Sequence, residues 1–242
     1  MKFSSFHSFR GILKDGIPEG DQILVSGPPG SGKSIMAMQF LMEGVKAGER
    51  GIFFTLENRP EFLVDQMEGL GLDVKKAVAD GNLEIVELQP NDVYVLLDEM
   101  GERVKKLDAK RIVLDSLSVL AVYCGSYRNL PEDLITFMEK TPHRPPIAIG
   151  EQVKKQMLYH VLSEIRRLKC TTILISELAK SSKFYSRDTV SEFACDGLIL
   201  LDYNLLGAAG VTRTLSVIKM RRCTYSEGMH EISIGARGIK VH

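Results

Sequence analysis

The sequence predicts an α/β fold: a mainly parallel sheet flanked by helices, with an antiparallel extension at its C-terminal end. Two observations predict it. Short apolar runs alternate with longer stretches of helical period, the pattern of a parallel sheet covered on both faces. After residue 196 the pattern changes to closely spaced strands joined by turns.

The elements follow in order. Asp-Gln-Ile-Leu-Val-Ser at 21–26 reads as a buried strand, and a glycine-rich loop follows at once. From Lys33 to Lys46, apolar residues Ile35, Met36, Met38, Phe40, Leu41 and Val45 recur with helical spacing, and Met36, Met38 and Met42 are expected to fill core space. A second strand is predicted over 51–56, a helix near 60–70, a strand over 83–88 and a helix over 93–107. The run Arg111-Ile-Val-Leu-Asp115 is a short strand ending on a carboxylate. Val153, Met157, Val161, Ile165 and Leu168 share one helical face, with His160 expected to be partly buried, and 171–176 is the strand after it. Strands over 197–203, 212–220 and 231–234 form the antiparallel extension. Pro142, Pro145 and Pro146 predict an exposed loop over 141–150.

At 242 residues, without an internal repeat or a low-complexity linker, the chain is expected to form one domain over 1–242. Thirty-one basic and 31 acidic residues give zero net charge, which argues against nucleic-acid binding by bulk electrostatics. Cys124, Cys170, Cys195 and Cys223 lie far apart without a Cys-x-x-Cys pair and are read as reduced thiols. The N-terminus has no apolar signal core, and no apolar run reaches the ~18–20 residues of a membrane span, so a cytoplasmic protein without membrane contact is expected.

Gly27-Pro-Pro-Gly-Ser-Gly-Lys-Ser34 matches the phosphate-loop pattern, flanked by the strand and helix that pattern requires. Chance yields the pattern in on the order of 1% of chains this long. The glycines let the backbone turn and aim N–H groups inward, and the next helix adds partial positive charge at its start. Gly27, Gly30, Ser31, Gly32, Lys33, Ser34 and Ile35 are therefore the candidate nucleotide-binding residues, with Lys33 reaching the β- and γ-phosphates and Ser34 binding Mg²⁺.

Hydrolysis needs an acid for the metal and a group to activate water. Asp115, ending so apolar a strand, is expected at the sheet edge beside the loop as the metal partner; the alternative is a helix cap before Ser116. Glu57 follows the second strand and opens onto the same edge, placed to act as general base. Its alternative is a solvated residue before the Asn58-Arg-Pro60 turn.

Phe53-Phe-Thr-Leu-Glu-Asn-Arg-Pro-Glu61 resembles the strand-and-glutamate segment of KaiC-like ATPases, a branch of the RecA/RadA superfamily. Gly16-Ile-Pro-Glu-Gly20, Gly69-Leu-Gly-Leu-Asp73, Asp80-Gly-Asn-Leu-Glu-Ile85 and the segments 112–117, 171–177 and 191–200 follow the same family's order, so the resemblance covers most of residues 15–240. It implies a RecA-like P-loop core, rings that are commonly hexamers, and ATP bound with Mg²⁺ between neighbouring subunits, with Glu57 activating water. A second family glutamate is replaced by Asn58, which implies slow hydrolysis. Lys219-Met220-Arg221 matches the family's Lys-x-Arg, which reaches the neighbour's γ-phosphate. The usual Gly-Thr after it is Arg222-Cys223-Thr224 here, leaving Arg222 as a competitor for the role of Arg221, and autokinase activity is not transferred to Thr224 or Ser226.

The stretch 123–150 is longer than the family's usual connection and is either a partner surface or a tolerated loop. A regulatory ATPase is the leading reading. The rival is a DNA-handling relative of the recombinases, binding single-stranded DNA through Ala179-Lys-Ser-Ser-Lys-Phe-Tyr-Ser-Arg187, whose cations and aromatics suit phosphates and bases. A third reading is an ATP-dependent assembly switch without useful turnover.

Overall fold

The computed structural model describes residues 2–89, 91–124, 146–180, 182–205 and 210–242. The elements begin with β1 (Phe3–Ser4), a single helical turn over His7–Phe9, β2 (Ile17–Pro18), β3 (Gln22–Gly27), α1 (Lys33–Lys46), β4 (Gly51–Thr55), α2 (Pro60–Gly69) and α3 (Val74–Ala79). They continue with β5 (Leu83–Glu87), α4 (Val93–Leu107), β6 (Arg111–Asp115), α5 (Leu117–Tyr123), α6 (Pro146–Arg167), β7 (Thr171–Glu177) and α7 (Ser191–Ala194). Four strands close the chain: β8 (Gly197–Leu205), β9 (Val211–Met220), β10 (Met229–Gly235) and β11 (Gly238–Val241).

Among the described residues, one nine-stranded sheet runs in the order β11-β10-β9-β8-β3-β7-β6-β4-β5. From β8 to β5 all neighbours are parallel, and β9, β10 and β11 are antiparallel. This is the predicted α/β architecture with its antiparallel extension. The apolar runs become strands buried on both faces, because successive residues point to opposite sides. Ile23, Val25, Phe53 and Val113 enter the core under α1, α2 and α3. Leu24, Ile52, Phe54, Ile112 and Leu114 enter the second core under α4, α5 and α6.

The predicted methionines Met36, Met38 and Met42 are buried. Two expectations need correction. Helix α6 starts at Pro146, inside the stretch expected to be loop, because proline at a first helical position lacks only an N–H that no intrahelical bond uses. His160 is exposed rather than partly buried, beside Tyr94 and Glu164. The rest of the 141–150 loop, and nearly all of the 123–150 segment ahead of α6, fall outside the described residues. Short elements without a clear period, β1, β2, α3, α5, α7 and β11, emerge only from tertiary packing.

What positions the site is direction. The parallel strands β3, β4, β6 and β7 deliver Gly27, Thr55, Asp115 and Glu177 to one edge, with Gly27 paired to Glu177 and Thr55 to Asp115. We call it the carboxyl edge. The antiparallel β9 crosses between edges: Arg213 faces Tyr203 at the carboxyl edge, and Lys219 faces Leu198 at the far one.

Candidate functional site

The cleft at the carboxyl edge has a volume of about 610 Å³ and is lined by Gly30, Gly32, Lys33, Ser34, Ile35, Glu57 and Asp115, with Glu177, Arg213 and Gln66 among its other walls. Gly27 admits no side chain, since a Cβ there would lie 2.2 Å from the Leu201 carbonyl oxygen. Gly32 caps α1 at φ +106°, a left-handed conformation that strains any other residue, and a Cβ there would press on Ile234 and Ile239. Gly27 is thus dictated by close backbone approach and Gly32 by its left-handed conformation. Beneath it, the buried Ser31 hydroxyl has no hydrogen-bond partner among the described residues.

Lys33 curls over its own loop, its Nζ donating to the carbonyls of Gly27 at 2.9 Å and Pro28 at 3.0 Å. Burial lowers its proton affinity, opposed by the carboxylates of Glu177, Asp115 and Glu57. Ser34 Oγ donates to Asp115 Oδ2 at 2.7 Å. Asp115 is only 5% exposed. Burial pushes its pKa up to about 6, the Ser34 hydrogen bond pulls it down, and the neighbouring Glu57 charge pushes it up again. Hydroxyl plus carboxylate is an all-oxygen pair, the donor chemistry that suits Mg²⁺.

Glu57 sits on the turn after β4, where Thr55 Oγ1 accepts from the N–H groups of Glu57 at 3.3 Å and Asn58 at 2.9 Å. Its carboxylate accepts from the Ser116 hydroxyl. Glu177 ends β7 between the loop strand and the Asp115 strand, and its N–H donates to Ser118 Oγ at 2.8 Å. Sequence reading missed Glu177, although it ends an apolar run as Asp115 does. Arg213, which donates to the Gly30 carbonyl at 3.4 Å, had no such signal, because it lies on an ordinary partly exposed strand.

The fold therefore brings Gly27, Gly30, Ser31, Gly32, Lys33, Ser34, Ile35, Glu57 and Asp115 to one place. Lys219 and Arg221 are not with them. Lys219 Nζ donates to the Glu192 carbonyl at 2.8 Å, and burial lowers its proton affinity, helped by the charge of Arg221. Arg221, with a side chain 57% exposed, stands 3.7 Å from Asp196. Arg222 is ion-paired to the buried Asp21, which leaves Arg221 the freer cation of the two.

This loop, its strand order and its carboxylates can be compared with known proteins. A sequence model of the family described as "ATPase: KaiC" matches residues 6–142 and 148–242. The chain belongs to the KaiC ATPase family. Membership carries with it ATP binding in a RecA-like fold. A UPF0273 protein of Aeropyrum pernix is 30% identical over 248 residues, covering 96% of this chain and 89% of that protein. The circadian clock oscillator protein KaiC of Synechococcus elongatus is 26% identical over 245 residues, 96% of this chain but 42% of that protein, so the chain spans less than half of the clock protein's length. The crystal structure of a KaiC-like protein of Pyrococcus horikoshii matches with a TM-score of 0.78 at 29% identity, over 99% of this chain and 97% of that one. Among the described residues, no helix is long and apolar enough to cross a membrane.

Proposed function

We propose that the chain is a Mg²⁺-dependent ATPase that hydrolyses ATP slowly at the subunit interfaces of a RecA-like ring, and that it serves as a regulatory ATPase. The observation that carries this is the convergence of the phosphate loop, the Ser34–Asp115 pair and Glu57 in one cleft. Loop amides cradle the phosphates, and Lys33 exchanges its two carbonyls for β- and γ-phosphate oxygens. Glu57 takes the proton of the attacking water as its oxygen bonds to the γ-phosphorus and the bond to the bridging oxygen of ADP breaks. Ser34 and Asp115 would hold Mg²⁺, which supplies neutralising charge to the phosphate oxygens.

Lys219 and Arg221 act on the site of a neighbouring subunit, a reading supported by their distance from their own loop across the sheet. Residues 1–242 act as one domain in the cytoplasm. Asn58 beside a lone Glu57 is the reason to expect slow turnover.

Mass in solution with and without Mg·ATP, with phosphate release from the same samples, tests the proposal. A ring that forms or tightens and turns ATP over is expected, with turnover lost in Arg221→Ala. A monomer in both conditions removes the trans-acting role of Lys219 and Arg221. A ring without turnover makes the protein an assembly switch. A second reading, single-stranded DNA binding, is favoured by the exposed Phe184 and Tyr185 beside exposed Lys183 and Arg187. Salt-sensitive DNA retention, lost on changing Lys180, Lys183 and Arg187 together, would establish it.

A further inference from the structure

The carboxylate of the general base is held by a side-chain hydrogen bond from outside its own turn. Glu57 stands on a turn, exposed, with a three-torsion side chain whose position nothing in the loop determines. A base displaced by about 1 Å from its water loses on the order of a hundredfold in rate. The residue that holds it follows another strand, β6, and caps the start of α5. Ser116 is fully buried, and its hydroxyl donates to Glu57 Oε1. The Ser116 hydroxyl oxygen also accepts the Val119 N–H at 3.3 Å at the start of α5. That acceptance occupies one lone pair of the hydroxyl and leaves its single proton for Glu57.

Ser116 is itself held firmly. It follows Asp115, whose carboxylate takes the Ser34 hydrogen bond at 2.7 Å and whose carbonyl accepts the Leu56 N–H at 2.7 Å. One line of contacts thus runs from the phosphate loop through Ser34, Asp115 and Ser116 to Glu57. Two residues on, Ser118 accepts the Glu177 N–H, so the same turn braces the end of β7.

We infer that Ser116 is the positioning residue for the general base: it holds Glu57 Oε1 so that Oε2 faces the attacking water. The inference rests on the reading of Glu57 as that base. Ser116 is buried rather than at the cleft surface and acts only through Glu57.

The test is steady-state phosphate release by the full-length protein for wild type, Ser116→Ala, Ser116→Thr, Glu57→Gln and the Glu57→Gln/Ser116→Ala double variant. Ser116→Ala is expected to lower kcat about tenfold or more with KM for ATP changed less than about twofold. Threonine keeps the hydroxyl and should recover most of the rate. The double variant should be no slower than Glu57→Gln alone, because a positioning residue has nothing left to position. An unchanged or raised kcat in Ser116→Ala, or a loss that multiplies on top of Glu57→Gln, overturns the inference. Full turnover in Glu57→Gln instead overturns the reading of Glu57, which a normal Ser116→Ala with an inactive Glu57→Gln does not. A crystal structure of Ser116→Ala gives a readout independent of activity: a displaced Glu57 carboxylate is expected, and an unmoved one overturns the inference. Should a thermal melt show Ser116→Ala unfolded, Ser116→Cys, a weak donor of similar size, replaces it with the same outcomes.

Discussion

The two edges of the parallel sheet handle charge in opposite ways. At the far edge, buried charges are neutralised where they stand. Arg111, its side chain 1% exposed, pairs with Glu49, donates to the Ser5 and Phe40 carbonyls at 2.8 Å, and lies 4.7 Å from the centroid of the Phe40 ring. Asp196 accepts from Arg166 at 3.0 Å and 3.2 Å and from the Gln22 N–H at 3.1 Å. At the carboxyl edge, Glu57, Asp115 and Glu177 gather around a single lysine whose proton affinity burial has lowered. Charges matched in place hold a fold together, whereas like charges crowded into a cleft raise its energy and suit it to bind a cation.

The comparison can be broken most severely at the carboxyl edge. Glu57→Gln is expected to lower phosphate release by about 10²–10⁴-fold while ATP affinity, read by equilibrium titration, stays near wild type. Loss of affinity would make Glu57 a binding residue instead. At the far edge the effect should fall on stability. Arg111→Ala leaves Glu49 and the Ser5 and Phe40 carbonyls without their partner, and urea denaturation should show a loss of about 3–5 kcal/mol.

Asp115 sharpens the contrast, because its substitution should stabilise. Its pKa is raised from the ordinary 3.8 to about 6. Between those values the folded chain holds a proton that the unfolded chain has released, so this group's contribution to stability is greatest at low pH and is lost as pH rises through about 6. Asp115→Asn carries no such penalty. Without nucleotide it should melt several degrees higher than wild type near pH 8 and at about the same temperature near pH 4, while its ATP binding loses dependence on Mg²⁺. Equal melting at both pH values would mean that Asp115 is ionised without cost. The smallest effect on stability belongs to Arg221→Ala, whose exposed side chain should leave it within about 0.5 kcal/mol, while the proposed trans-acting role predicts loss of turnover.

Some of this site was legible residue by residue. Gly27, Gly32 and Lys33 declare themselves because a phosphate cradle demands particular residues at particular spacings, and the fold then shows that a Cβ at Gly27 has no room. Asp115 and Glu57 were readable as carboxylates after apolar strands. Glu177 carried the same signal and was passed over, since a carboxylate after an apolar run says nothing about which strand will lie beside the loop. Ser116 and Arg213 carried no signal, because a hydrogen bond between residues 59 positions apart is invisible along the chain.

Local patterning determined the main strands and helices, since the period of burial is written in each segment's own residues. The short segments such as α3 and β11 were decided by the tertiary structure, because they form only when the sheet gives them a surface to pack on. So was the order of strands, which seats β7 between the loop strand and Asp115 and turns Lys219 and Arg221 to the far edge. A sequence specifies what each residue can do. Which charges meet depends on strand order and direction, set by the burial of the whole sheet rather than by any one segment.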